Sequence, residues 1–172
     1  VSALFGTGEL LFSDDVFTDW EGAVLARVRR PRQTWRTMFT SGGKLQVVRA
    51  DETLLFEMPN VDTGGVDEFR VEAADGIPPA SVRKRRKLSP LKLEYTVQDD
   101  AGTPLGAVKT NPAWSPVEAE GTSGSPVATA RLTGGHSWTV DLRANTSPGW
   151  DAVMLAMVII ADEMQGELSG MG

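Results

Sequence analysis

Five consecutive cations, Arg83, Lys84, Arg85, Arg86 and Lys87, stand in a chain of 172 residues whose formal net charge is −6. Like charges at that spacing repel, so the run needs anions nearby: an anionic phospholipid headgroup, a nucleic acid or an acidic protein partner. Arg27 and Arg29, with Arg30 and Arg32, form a second basic set that could extend the first across a sheet. No aromatic residues interleave with the run, which argues against nucleic acid. The plainer reading is a solvated edge strand or loop, where basic residues block edge-to-edge pairing.

Other chemistry is narrowly bounded. There is no cysteine and one histidine, His136. A disulfide framework, a thiolate nucleophile, a Cys-ligated metal and a paired-histidine metal site are excluded. His136 follows Gly134 and Gly135 at an expected hairpin tip. Catalysis would need a nucleophile and an orienting carboxylate beside it. Ser137 and Asp141 are near in sequence, but nothing fixes them there, so an ordinary turn histidine is expected. No phosphate loop, dinucleotide fingerprint or zincin motif occurs, and Gly6 and Gly8 make only a lone glycine pair. No catalytic residue, metal or cofactor is assigned. The five tryptophans, at 20, 35, 114, 138 and 150, are expected as core and loop anchors.

The elements that must carry these residues are mostly strands. Leu91, Leu93, Tyr95 and Val97 alternate with polar residues, as do Phe69, Val71 and Ala73, and Trp138, Val140 and Leu142. Leu54, Phe56 and Met58 share one face, and Val24, Ala26 and Val28 another. Period two with one apolar face predicts antiparallel strands packed on one side. Glycine- and aspartate-bearing turns separate them, as in a meander of hairpins. Residues 111–126 hold three prolines and are expected to be a long surface loop anchored by Trp114. Residues 17–25 echo residues 95–105: an aromatic start, an acidic turn with glycine, an apolar return. Shared turn chemistry and duplication both explain that echo. Ten to twelve strands strain an open sheet and favour a sandwich or a closed barrel.

One helix is expected, over about residues 150–165. Ser147 suits its N-cap, Pro148 its first turn, Asp151 its positive end and Gly166 its C′ position. Residues 152–161 have no polar face, so the helix must be surrounded by protein or lipid. Fifteen residues reach about 22 Å, short of a hydrocarbon core, so protein is expected. A greasy helix in a β-rich chain predicts a barrel wrapped around it. Asp162 shares a face with Met154 and Val158 near the helix's negative end, where an anion is disfavoured. It is read as the helix emerging into water or as part of an ion pair at the barrel mouth. Alternation over residues 81–88 puts Val82, Lys84, Arg86 and Leu88 on one face. Lys84 or Arg86 is therefore expected to meet Asp162 or Glu163.

The ending Trp138-Thr139-Val140-Asp141-Leu142-Arg143, a short gap, then the apolar helix from Trp150 resembles the close of phospholipid scramblases and LURP-one-related proteins. The cadence from Tyr95 to Val108 resembles the repeated hairpin of the same group. The resemblance, laid over residues 10–165, implies the Tubby C-terminal-like fold: about twelve antiparallel strands closed around a C-terminal helix. The cysteine-rich and proline-rich segments of scramblases are absent. The acidic pairs Asp14-Asp15 and Asp99-Asp100 lack EF-hand spacing, so calcium-triggered scrambling is not implied.

The chain is thus expected to be one mainly β domain over residues 1–172, an antiparallel barrel around one helix. Its expected function is non-enzymatic binding of an anionic lipid surface or a protein partner. The ligand-binding set is Arg83, Lys84, Arg85, Arg86, Lys87, Arg27 and Arg29. A scramblase-like membrane protein and a small enzyme with an acid/base site in the barrel mouth are the alternatives. The first 12 residues lack the basic start and long apolar run of a signal peptide, and no stretch is long enough to span a membrane. Cytoplasmic residence, with peripheral membrane association, is expected. The arginine excess over lysine and the abundant alanine and glycine match bacterial usage.

Overall fold

The computed structural model describes residues 4–29, 45–58, 68–73, 78–85, 91–142 and 148–170. Twelve strands run in order: β1 (Glu9–Ser13), β2 (Val16–Thr18), β3 (Val24–Arg29), β4 (Leu45–Arg49), β5 (Leu54–Met58), β6 (Glu68–Ala73), β7 (Ala80–Lys84), β8 (Leu93–Asp99), β9 (Pro104–Thr110), β10 (Val117–Gly121), β11 (Pro126–Gly134) and β12 (Ser137–Leu142). The helix α1 (Pro148–Gly170) follows. Each strand pairs antiparallel with its neighbours in sequence, and β12 returns to β1 to close the barrel. At that seam Leu10 faces Val140 and Phe12 faces Trp138. Closure leaves no unpaired edge, so the basic run does not guard one.

Alternation sets the inside of the wall. Leu93, Tyr95 and Val97, Val82, Val71 and Phe69, and Trp138, Val140 and Leu142 are all buried. They meet α1, whose residues 152–161 are at most 1% exposed. A helix without a polar face can be stable in water only inside such an enclosure. Asp151, in its first turn, is buried too, where the helix dipole favours an anion. Trp150 plugs the wall at Gly106: a Cβ there would lie 2.1 Å from the Glu120 carbonyl oxygen and 2.7 Å from Trp150 Cζ2. Its φ of 146° also favours glycine.

The meander divides the connections between two rims. Those after β2, β4, β6, β8 and β10 start and end at the lower rim, where α1 enters. Those after β1, β3, β5, β7, β9 and β11 start and end at the upper rim, where α1 emerges beside His136. Four lower-rim hairpins use one turn. In it the first residue and the residue four later share a backbone hydrogen bond: Asp19 with Ala23, Arg49 with Thr53, Asp99 with Thr103, Gly121 with Ser125. Asp19 and Asp99 also each accept two backbone N–H groups through Oδ1. The two segments that echo each other, residues 17–25 and 95–105, thus share this turn.

Three local expectations change. Residues 111–126 are not one loop, because β10 lies within them, although Trp114 is buried as an anchor. Leu91 falls outside β8 and is 73% exposed, since the wall ends at Leu93. Gly166 does not end the helix, which continues to Gly170. One extra residue on β5, between the pairs Val47–Phe56 and Val48–Leu54, also leaves Leu55 buried beside Phe56.

Candidate functional site

Two groupings of chemically capable side chains meet at the upper rim. The first is a latch on the end of α1. Trp138, inward on β12, donates its indole Nε1–H to Asp162 Oδ1 at 3.0 Å. His136 Nδ1 lies 3.5 Å from the same oxygen. The Asp162 side chain is 12% exposed and that of His136 56%. One turn further, the Gln165 side-chain amide donates to the Ala113 carbonyl in the β9–β10 connection. The helix end is thus tied to two hairpins. Asp162, not Asp141, is the carboxylate beside His136. Only the folded path of α1 brings residues 26 apart together, so spacing along the chain could not reveal it. Ser137 turns outward, its hydroxyl 3.3 Å from that of Ser13 on β1. The histidine and carboxylate therefore face each other without that serine between them.

The second grouping is the basic run. Arg83 points out from β7 and donates to Glu68 on β6 at 2.8 Å. That hydrogen bond, with the carboxylate's charge, raises the guanidinium above its ordinary range. Arg85 donates its backbone N–H to the Glu94 carbonyl and its guanidinium to the Glu94 carboxylate at 3.1 Å. Across the wall Lys109 meets Glu120 at 2.8 Å, which raises the ammonium pKa. These exposed pairs form a belt from β6 to β10, and solvent screening keeps each of them weak. Lys84 takes the inward parity predicted for it and is half-buried opposite Tyr95 in the register. Among the described residues Asp162 is held by Trp138 and His136 rather than by Lys84. Arg86 and Lys87 lie outside the described residues, as do Arg30, Arg32 and Trp35.

Arg27 and Arg29 do not join the run directly. They sit on β3, both paired with Glu52, and β4, β5 and β6 stand between them and β7. The two sets nonetheless share a rim through the connections they lead into. The segments joining β3 to β4 and β7 to β8 both start and end on the upper rim. By sequence they carry Arg30, Arg32, Arg36 and Lys44, and Arg85, Arg86, Lys87 and Lys92, with no carboxylate. The emerging helix adds Asp162 and Glu163 to that end, and the β1–β2 connection adds Asp14 and Asp15. The lower-rim segments after β2, β4, β6 and β8 carry Asp19, Glu21, Asp51, Glu52, Asp75 and Asp100, with no cation. Leu91, the most exposed large apolar residue among those described, stands within the basic β7–β8 connection.

No protein-family model matches the chain, and no curated protein matches it. The chain is similar to a solved structure, the X-ray structure of a protein from Arabidopsis thaliana. The TM-score is 0.60 at 17% sequence identity, over 90% of this chain and 88% of that one. At that identity the likeness is one of fold. The closed twelve-stranded barrel with its C-terminal helix fits a Tubby-like architecture. Among the described residues no helix is long and apolar enough to cross a membrane, and no group of His, Asp and Glu is placed to hold a metal ion.

Proposed function

We propose that this chain is a non-enzymatic binding module of the Tubby-like, LURP-one-related group. It docks by its upper rim against an anionic phospholipid surface. The observation that carries the reading is the division of charge between the rims. By sequence the segments joining β3 to β4 and β7 to β8 carry eight cations and no carboxylate, and those after β2, β4, β6 and β8 carry six carboxylates and no cation, while the segments after β1 and β5 carry Asp14, Asp15, Asp62 and Asp67. Such a molecule turns its upper rim toward a negative surface and its lower rim away. Near a charged bilayer each Lys or Arg contributes about 1 kcal/mol. Leu91, 73% exposed among those cations, favours a lipid surface over an acidic protein, because its side chain can enter the interfacial layer. The barrel axis is filled by α1, so contact by the rim is favoured over an acyl chain held inside.

Flotation with neutral vesicles and with vesicles containing anionic lipid tests this. Binding to the anionic vesicles alone, weakened by salt and by the combined Arg83→Ser, Arg85→Ser and Lys87→Ser change, is expected. Equal binding of wild type and triple variant, or none at low salt, overturns it and leaves the run a solvated part of the wall. Recovery only with detergent-solubilised membranes would favour a membrane-embedded, scramblase-like protein instead.

A further inference from the structure

On the outer wall, toward the other rim, a groove of about 320 Å³ lies over β1, β12 and β11. Its lining includes Glu9, Asp141, Thr129, Thr139, Arg131 and Trp20. The volume is at the lower end of small-molecule sites.

The pairing register fixes how these groups stand. Glu9 faces Asp141 across β1 and β12, and Thr129 faces Asp141 from β11. The neighbouring pair, Gly8 with Leu142, is hydrogen-bonded through the Leu142 N–H at 2.6 Å. Glu9 and Asp141 therefore form a non-hydrogen-bonded pair, the kind in which side chains approach most closely. Two carboxylates directly opposite each other are unfavourable unless a cation comes between them. Among the described residues neither forms an ion pair. Trp20, two residues beyond β2 in the turn to β3, borders the same groove with 60% of its surface exposed. An indole face beside paired carboxylates suits an organic cation, which gains from both.

The far corner has the opposite character. Arg131 faces Thr139, one strand over from Asp141 and two residues along. Strand spacing and rise put its Cα about 8 Å from that of Asp141. Arg131 likewise forms no ion pair among the described residues. A ligand with only a positive charge would leave it unmatched.

We propose that this groove binds a small organic cation that also carries an anionic group, the chemistry of a free basic amino acid. The ammonium or guanidinium lies between Glu9 and Asp141 against Trp20, and the carboxylate meets Arg131 and the threonine hydroxyls. A neutral polyol could touch the same hydroxyls and indole but would not relieve the facing carboxylates. This site is independent of the proposed docking rim.

Calorimetry with free arginine, with agmatine (its decarboxylated form) and with a neutral disaccharide tests the assignment. Arginine is expected to bind and to raise the melting temperature, agmatine to bind more weakly, and the disaccharide not at all. The paired change Glu9→Gln with Asp141→Asn should weaken arginine at least about 10-fold, and Arg131→Gln should equalise arginine and agmatine. Both sites are at the surface, and unchanged melting temperatures of the ligand-free variants report an intact barrel. Unchanged arginine affinity in the paired variant, preference for the disaccharide, or no heat with arginine at about 10 mM overturns the proposal.

Discussion

The indole N–H of Trp138 points at Oδ1 of Asp162, 3.0 Å away, and joins the barrel wall to the helix inside it. The bond satisfies a buried donor and gives a partner to a carboxylate that is itself only 12% exposed. Asp162→Ala is expected to lower unfolding free energy by about 1–3 kcal/mol, because the indole N–H loses its acceptor. His136→Ala, at an exposed position, should cost less than about 1 kcal/mol. Urea denaturation of the two variants checks the order. A histidine variant as damaging as the aspartate variant would mean that the wall is held mainly through the hairpin tip.

The enclosure of residues 152–161 makes a sharp demand on composition. Leu155→Arg and Val158→Arg should abolish soluble expression, since an unpaired buried charge costs more than a typical domain's stability of about 5–15 kcal/mol. Leu155→Ala should remain folded and lose about 2–5 kcal/mol. Native-like melting of either arginine variant would show that the helix is not the core.

Two glycines with positive φ separate packing from backbone conformation. Gly102, at φ 82°, has open space where a Cβ would go, so Gly102→Ala should cost roughly 1–2 kcal/mol through conformation alone. Gly106→Ala adds a collision with the Glu120 carbonyl and Trp150, and is expected to lose well over about 3 kcal/mol. Thermal melts of the two variants give the comparison, and equal losses would refute the close approach of Trp150.

Acid should act on a lower-rim turn in a defined direction. The Thr53 hydroxyl, donating to Asp51 Oδ1 at 2.6 Å, and the Thr53 backbone N–H, donating at 3.0 Å, hold the Asp51 carboxyl below its ordinary 3.8. A depressed folded-state pKa gives stability that is present above the unfolded value and lost as pH falls through the folded one. The Thr53 amide resonance should therefore titrate with a midpoint below 3.8, and Thr53→Val should move the midpoint upward.

Leu91 and the cations should separate in vesicle binding. Leu91→Ser is expected to weaken binding while leaving its salt dependence unchanged, because the lost contribution is apolar. The triple change at Arg83, Arg85 and Lys87 should flatten the salt dependence. Flotation at several ionic strengths distinguishes the two. If the leucine variant binds normally, the surface contact is purely electrostatic.

The architecture was legible because two signals agreed: period-two strands such as residues 93–97, and a helix with no polar face that left enclosure as the remaining option in water. The inward parity of Lys84 was legible for the same reason. Positions depending on strand ends and register were not. Leu91 continues the alternation of β8 but falls outside the wall, and a strand's end is fixed by its partners rather than by its own pattern. Leu55 is buried because β5 carries one extra residue there, between the pairs Val47–Phe56 and Val48–Leu54. The facing carboxylates Glu9 and Asp141 are 132 positions apart and meet only because the last strand pairs with the first.

That seam also bears on how the chain reaches this shape. A ribosome makes β1 first, yet its partner β12 and the filling helix come last. Until residues 138–161 are available, the inner faces of the earlier strands lack both the closing strand and the core they are built to cover. Local hairpins can pair as they appear, but ring closure joins residues more than 120 positions apart, and such long-range contacts are slow to form. The exposed interval is therefore longest for the N-terminal hairpins, where Phe12 and Phe17, buried against each other at 4.5 Å in the finished barrel, are the aromatic surface most in need of protection during synthesis.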